Sequence, residues 1–158
     1  MAKVLIVYWS RTGNTEKMAH LVAEGVKEAG CEVQIKKADE TTPDDLKAAD
    51  GIIMGSPTYY GLPAAELVKL LDDSVCYHGQ LDGKVGGAFS SAANIGGGNE
   101  TTIMGLLEAM LIHGFVIQGT PAGDHYGPVS IGAPDNRVTK QCRAYGKRIG
   151  ELAKKLHG

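Results

Sequence analysis

The chain has 158 residues, with 16 lysines and arginines against 18 aspartates and glutamates, for a formal net charge of −2. That balance gives no bulk attraction for nucleic acid or anionic membranes, and the length suits one domain, residues 1–158, with a substantial core. No apolar run reaches membrane-spanning length, and Met1-Ala2-Lys3 leads directly into a strand pattern rather than a secretory leader. Cys31, Cys76 and Cys142 form neither a Cys-x-x-Cys pair nor a zinc pattern. The expectation is a cytoplasmic protein with reduced thiols, in which any redox chemistry belongs to an organic cofactor.

Strand and helix patterns alternate along the chain. Lys3 to Trp9 is a continuous apolar run, the mark of a parallel strand buried on both faces. Glu16 to Ala29 carries Met18, Ala19, Leu21, Val22 and Val26 on one helical face, and Gly30 stops it. Cys31 to Lys37 alternates apolar and polar as an outer strand does. Thr42-Pro43-Asp44-Asp45 opens a short helix, and Gly51 to Gly55 is a second buried strand. A helix is predicted from Pro63 to about Asp72, a strand from Lys84 to Ser90, a helix from Thr101 to His113 and a strand at Phe115 to Ile117. Residues 119–134 read as a Gly/Pro-rich loop, and Asp135 to Leu156 as a final helix with basic residues toward its end. Five strands with intervening helices give a doubly wound α/β fold. The expected order is 2-1-3-4-5, with its switch point between the first and third strands, where ligands bind at the carboxyl ends.

The junction after the first strand, Ser10-Arg11-Thr12-Gly13-Asn14-Thr15, carries the most chemical information. Backbone N–H groups in such a turn and in the first helical turn lack partners and converge, and the helix dipole adds to their pull on an anion. Ser10, Thr12 and Thr15 supply hydroxyls, Asn14 an amide, and Gly13 lets a ligand approach the backbone. Neither a Walker A motif nor Gly-x-Gly-x-x-Gly is present, so the cradle suits a terminal phosphomonoester rather than a triphosphate or a pyrophosphate. Arg11 either pairs with that phosphate or stays in solvent.

Ile6 to Ala19 closely resembles the FMN-phosphate loop of flavodoxins. Gly55-Ser56-Pro57-Thr58-Tyr59-Tyr60-Gly61 resembles the second flavin loop of that superfamily. Ser90 to Thr102 resembles the third, in the form found in WrbA-like NAD(P)H:quinone oxidoreductases, and a His-Gly pair follows at His113-Gly114. The resemblance runs from Lys3 to about Leu156. It implies a flavodoxin-like five-stranded parallel sheet with FMN as cofactor, held by Ser10 to Thr15, by Pro57, Thr58, Tyr59, Tyr60 and Gly61, and by Ser91, Ala92, Ala93, Asn94, Gly96, Gly97 and Gly98.

Tyr59 or Tyr60 would cover a ring face. The resemblance sets the Tyr60-Gly61 peptide near flavin N5, and Gly61 would let that peptide turn its carbonyl toward it. Backbone donors of the third loop would stabilise charge on the reduced ring. His113 reads either as a charge–dipole or capping residue at a helix end or, by resemblance, as a substrate-side catalytic residue with Tyr60 and Gly61. Asp124-His125-Tyr126-Gly127 is similar to a substrate-side loop of the same enzymes, which adds Tyr126 to the flavin-side residues.

Two functions follow. An NAD(P)H-dependent quinone or flavin oxidoreductase is slightly favoured. The alternative is a flavodoxin-type electron carrier that serves redox partner proteins without substrate turnover. The chain lacks a longer segment that in those enzymes helps complete the active site and the tetramer, which bears against nicotinamide turnover. A homo-oligomer is left open. No metal is expected.

Overall fold

The computed structural model describes residues 1–158. Its elements in chain order are β1 (Lys3–Tyr8), α1 (Asn14–Glu28), β2 (Glu32–Lys37), α2 (Pro43–Ala48), β3 (Gly51–Pro57), α3 (Ala65–Asp73), β4 (Val85–Ala92), α4 (Asn99–Ile112), β5 (Val116–Ile117), β6 (Val129–Ile131) and α5 (Asn136–His157). All strand pairs are parallel, in the order β2-β1-β3-β4-β5, with β6 also beside β4.

Alternation along the strands sends side chains to two separate cores. Val4, Ile6, Ile53 and Phe89 meet Met18, Val22, Cys142, Tyr145 and Ile149 of α1 and α5 on one face. Leu5, Val7, Ile52 and Met54 meet Leu46, Leu67, Leu70, Ile103, Leu106 and Met110 of α2, α3 and α4 on the other. Strands covered on both faces explain why β1 and β3 are near-continuous apolar runs. Thr42 caps α2 in a capping box, its hydroxyl facing the Asp45 backbone while the Asp45 carboxylate accepts from the Thr42 N–H at 2.8 Å.

The fifth position of the sheet is divided. β5 pairs with Val85 and Gly86, and β6 pairs with Ser90, Ser91 and Ala92. Residues 129–131, expected within a loop, are therefore a strand. Between the two pieces, the buried Tyr145 hydroxyl accepts a hydrogen bond from the Ala88 N–H at 2.8 Å. Burial pushes that phenol up to about 12, so it remains protonated. Tyr145→Phe strands a buried amide and is expected to lower unfolding free energy by about 1–3 kcal/mol in urea titration.

All carboxyl ends of the strands share one edge of the sheet. Ser10–Gly13, Thr58–Ala64 and Ala93–Gly98 leave that edge from β1, β3 and β4, so the three loops stand together at the switch point.

A cleft at the carboxyl edge of the sheet

A cleft of about 290 Å³ opens there. It is lined by Ser10, Arg11, Thr12, Asn14 and Thr15 from the first loop, by Pro57, Thr58 and Tyr59 from the second, and by Ser91, Ala92, Ala93 and Gly132 beyond. No carboxylate lines it, and Arg11 is its one charged side chain.

The first loop is a set of donors. Gly13, at φ 97°, caps α1 with no side-chain cap bond. Its N–H donates to Ser10 Oγ at 3.1 Å, and its carbonyl accepts from the Lys17 N–H at 3.1 Å. The backbone N–H groups of Arg11, Thr12, Asn14, Thr15 and Glu16 find no acceptor within the protein. Five free amides, neighbouring hydroxyls and a guanidinium at a helix start form a donor set complementary to a phosphate dianion.

The floor is a polar network. Thr15 Oγ1 and Ser91 Oγ lie 2.9 Å apart, both buried. Thr58 Oγ1 lies 2.8 Å from Ser90 Oγ and donates to Asn99 Oδ1 at 3.3 Å, and Asn99 Nδ2 donates to the Ser130 carbonyl at 3.5 Å. Pairing of β6 with β4 thus completes the floor.

The second loop is a tight hairpin, with Tyr59 and Leu62 exchanging both backbone bonds at 3.0 Å. Tyr60 and Gly61 occupy its tip at φ 52° and 76°. Positive φ at both central positions is what a two-residue hairpin turn favours, yet in tyrosine it is strained by about 1–2 kcal/mol. The Tyr60 side chain stands wholly in solvent. Thr101 Oγ1 donates to the Gly61 carbonyl at 2.8 Å and to the Gly98 carbonyl at 2.9 Å, tying the second loop to the third. The carbonyl of the Tyr60-Gly61 peptide itself is free. Asn94, Gly96, Gly97 and Gly98 do not line the cleft, and Asn94 is occupied locally through Nδ2 and its carbonyl.

Two predicted residues stand elsewhere. His113 follows α4, which starts beside the cleft at Asn99 and runs away from it for 14 residues, about 20 Å of rise. It lies at the opposite end of the sheet, with Nε2 2.8 Å from Ser74 Oγ and its ring 6.0 Å from that of His78. The structure corrects its assignment as a substrate-side residue: the length of α4 prevents it. Tyr126 lines a neighbouring hollow with Glu100, Ile103 and His125, not the cleft. Asn99, whose amide the third loop offered, joins the floor, and Ser130 and Gly132 are the additions. These two carried no signal in a segment read as loop.

Burial and the nearby His78 hold the His113 imidazole below its usual 6.5. The unfolded chain therefore takes up a proton at a higher pH than the folded one. Stability from this site is full above 6.5 and falls as pH drops through the folded value. His113→Gln, which keeps a side-chain partner for Ser74, is expected to flatten the loss of urea midpoint between about pH 6.5 and pH 5.

The fold and cleft together define a doubly wound α/β protein whose switch point carries a cleft with an anion-complementary donor set. The sequence matches the flavodoxin family over residues 6–111. The chain is 42% identical over 160 positions to a flavodoxin from Aquifex aeolicus, covering 96% of this chain and 86% of that one. It is 33% identical to an NAD(P)H dehydrogenase (quinone) from Archaeoglobus fulgidus, covering 99% of this chain and 100% of the relative. That alignment runs over 190 positions against a chain of 158, so the relative carries an internal segment that this chain lacks. Among solved structures, a flavodoxin, WrbA-like protein from Agrobacterium tumefaciens superposes with a TM-score of 0.83 at 28% identity, covering 99% of both chains. The chain belongs to the flavodoxin family. It is an FMN-binding redox flavoprotein that exchanges electrons with redox partners.

Proposed function

We propose that this chain is a cytoplasmic electron carrier of the flavodoxin type, holding FMN in the cleft between the three loops. When bound there, FMN supplies one- and two-electron redox chemistry. The free amides of Arg11, Thr12, Asn14, Thr15 and Glu16, with the hydroxyls of Ser10, Thr12 and Thr15, bind the phosphate. Tyr59 provides a wall for the ring system. The Tyr60 carbonyl, free at the hairpin tip, is the acceptor available to a protonated ring nitrogen. Ala92 and Ala93 keep that side of the cleft clear of bulky side chains.

The carrier reading rests on the rim of the cleft. Tyr60, Leu62 and Ile95 are exposed there, and Tyr60 is held in a strained turn that contributes nothing to the core. Such a surface suits transient contact with a redox protein. The longer quinone dehydrogenases carry internal residues that this chain lacks.

A second reading, NAD(P)H-dependent quinone reduction, is supported by the third loop's likeness to such enzymes and by the Archaeoglobus relative. Anaerobic protein reconstituted with FMN separates the two. The carrier is reduced by dithionite and left oxidised by NADH and NADPH. Rapid nicotinamide oxidation coupled to benzoquinone reduction would overturn the carrier assignment.

A further inference from the structure

We propose that Asp124 and Arg137 are positioning residues for the cleft: together they replace a neighbouring strand on the outer edge of β6 and hold Ser130 and Gly132 in place at the cleft floor. This deepens the FMN-binding reading and rests on it.

By itself β6 is weakly held. It has three residues and pairs with β4 alone. The Ser90 N–H donates to the Pro128 carbonyl at 3.0 Å and the Gly132 N–H to the Ala92 carbonyl at 2.9 Å, fixing its two ends. Residues 118–126 before it are mostly exposed. Short, solvent-facing segments of this kind open at low free energy, and a strand edge leaves backbone groups without partners.

Side chains fill that edge instead. The Val129 N–H donates to Asp124 Oδ2 at 3.0 Å, and the Val129 carbonyl accepts from Arg137 Nη2 at 2.8 Å. The remaining atoms of the pair close on each other, with Arg137 Nη1 2.9 Å from Asp124 Oδ1. The Asp124 N–H donates to Gln141 Oε1 at 3.3 Å. Arg137 and Gln141 share one face of the first turns of α5, a helix seated in the core by Val138, Cys142 and Tyr145. Charge-assisted hydrogen bonds thus clasp a three-residue strand to a rigid helix.

Contacts run unbroken from the clasp to the cleft. Val129 precedes Ser130, whose carbonyl accepts from Asn99 Nδ2 at 3.5 Å and whose hydroxyl donates to the Gly132 carbonyl at 2.8 Å. Asn99 Oδ1 accepts from Thr58, and both Thr58 and Gly132 line the cleft. Asp124 and Arg137 do not line it, so they act on a ligand only through β6. Undocking of β6 removes part of the floor, and FMN then binds only the docked fraction. A fall of that fraction to about a tenth raises the apparent dissociation constant about tenfold.

The test compares the purified full chain with Arg137→Met and Arg137→Lys by amide hydrogen exchange and by quenching of FMN fluorescence. Arg137 is exposed, so neither variant opens the core. In Arg137→Met, stripped of flavin, exchange of the Ser90 and Gly132 amides is expected to accelerate about tenfold or more, and the FMN dissociation constant to rise about tenfold. Amides within β1 and β3 are expected to keep their protection. Saturating FMN is expected to restore slow exchange at Ser90 and Gly132, because a ligand that selects the docked state stabilises it in return. Arg137→Lys, whose ammonium lacks the fork that holds Asp124 and Val129 together, is expected to fall between. The proposal is overturned if FMN binding weakens with exchange at Ser90 and Gly132 unchanged, if that exchange accelerates with FMN affinity unchanged, if neither changes, or if β1 and β3 lose protection equally. FMN binding to the wild type checks the cofactor reading separately. Its failure there sinks that reading and the proposal together.

Discussion

Gly146→Ala is expected to destabilise the protein by about 3 kcal/mol, with Gly25→Ala close behind. Helices α1 and α5 cross backbone to backbone. A Cβ on Gly146 would overlap the Val22 carbonyl oxygen, and one on Gly25 would overlap the Arg143 carbonyl oxygen. Neither obstacle is a flexible side chain that can swing aside. The helices must separate, loosening Met18, Val22, Val26, Cys142, Tyr145 and Ile149, all nearly inaccessible to solvent. Overpacking of a tight core costs about 1–3 kcal/mol, and backbone overlap belongs at the upper end. That is a large share of the roughly 5–15 kcal/mol that typically holds a domain folded. Because α1 also carries the phosphate cradle at its start, both variants are expected to bind FMN more weakly. Urea denaturation measures the effect, and stability within about 1 kcal/mol of wild type would show that the crossing has slack.

Gly13→Val is expected to raise the FMN dissociation constant about 100-fold. Gly13 sits at φ 97°, a region that a β-branched residue occupies only under strain. Relief of that strain rotates the peptides on either side: one carries the free Asn14 N–H, the other the Gly13 N–H that holds Ser10 Oγ beside the cradle. Losing two charge-assisted hydrogen bonds, each worth about 1.5 kcal/mol at least, gives roughly two decades in affinity. A Cβ at this position meets nothing within 4 Å, so the loss comes from backbone geometry rather than a clash. Riboflavin, which makes no phosphate contact, is expected to lose far less. Equal losses for FMN and riboflavin would relocate the phosphate.

The sequence placed the strands that matter most for this cleft. β1 and β3 are buried on both faces, so their apolar runs are unbroken, and the loops after them fall at the switch point by topology alone. Of the first-loop residues, all but Gly13 line the cleft, and Gly13 caps the helix behind it. β6 was hidden because three residues are too few to show a period, and Gly127-Pro128 and Gly132-Ala133-Pro134 flank it as a loop would. Its pairing with β4 is a tertiary fact. The floor of Thr58, Ser90, Asn99 and Ser130 was hidden for the same reason, since which buried polar groups find partners depends on that pairing.

His113 is the instructive case: of its two readings, the helix-end one agrees with its place as the C-cap of α4, and the substrate-side one does not. Its His-Gly pair drew attention by likeness to a motif, while the helix before it already determined the distance. A helix of 14 residues that begins at the cleft ends on the far side of the sheet. Tyr126 erred by less: its loop reaches the start of α4 and lines the hollow beside the cleft.

The central claim is that a flavin monophosphate binds with its phosphate on the free amides between β1 and α1. Amide proton shifts of the ¹⁵N-labelled chain test it most directly. With FMN added, the signals of Arg11, Thr12, Asn14, Thr15 and Glu16 are expected to move downfield as a group, and with riboflavin they are expected to move little. Amides that stay in place under saturating FMN, or that respond equally to both flavins, would contradict it.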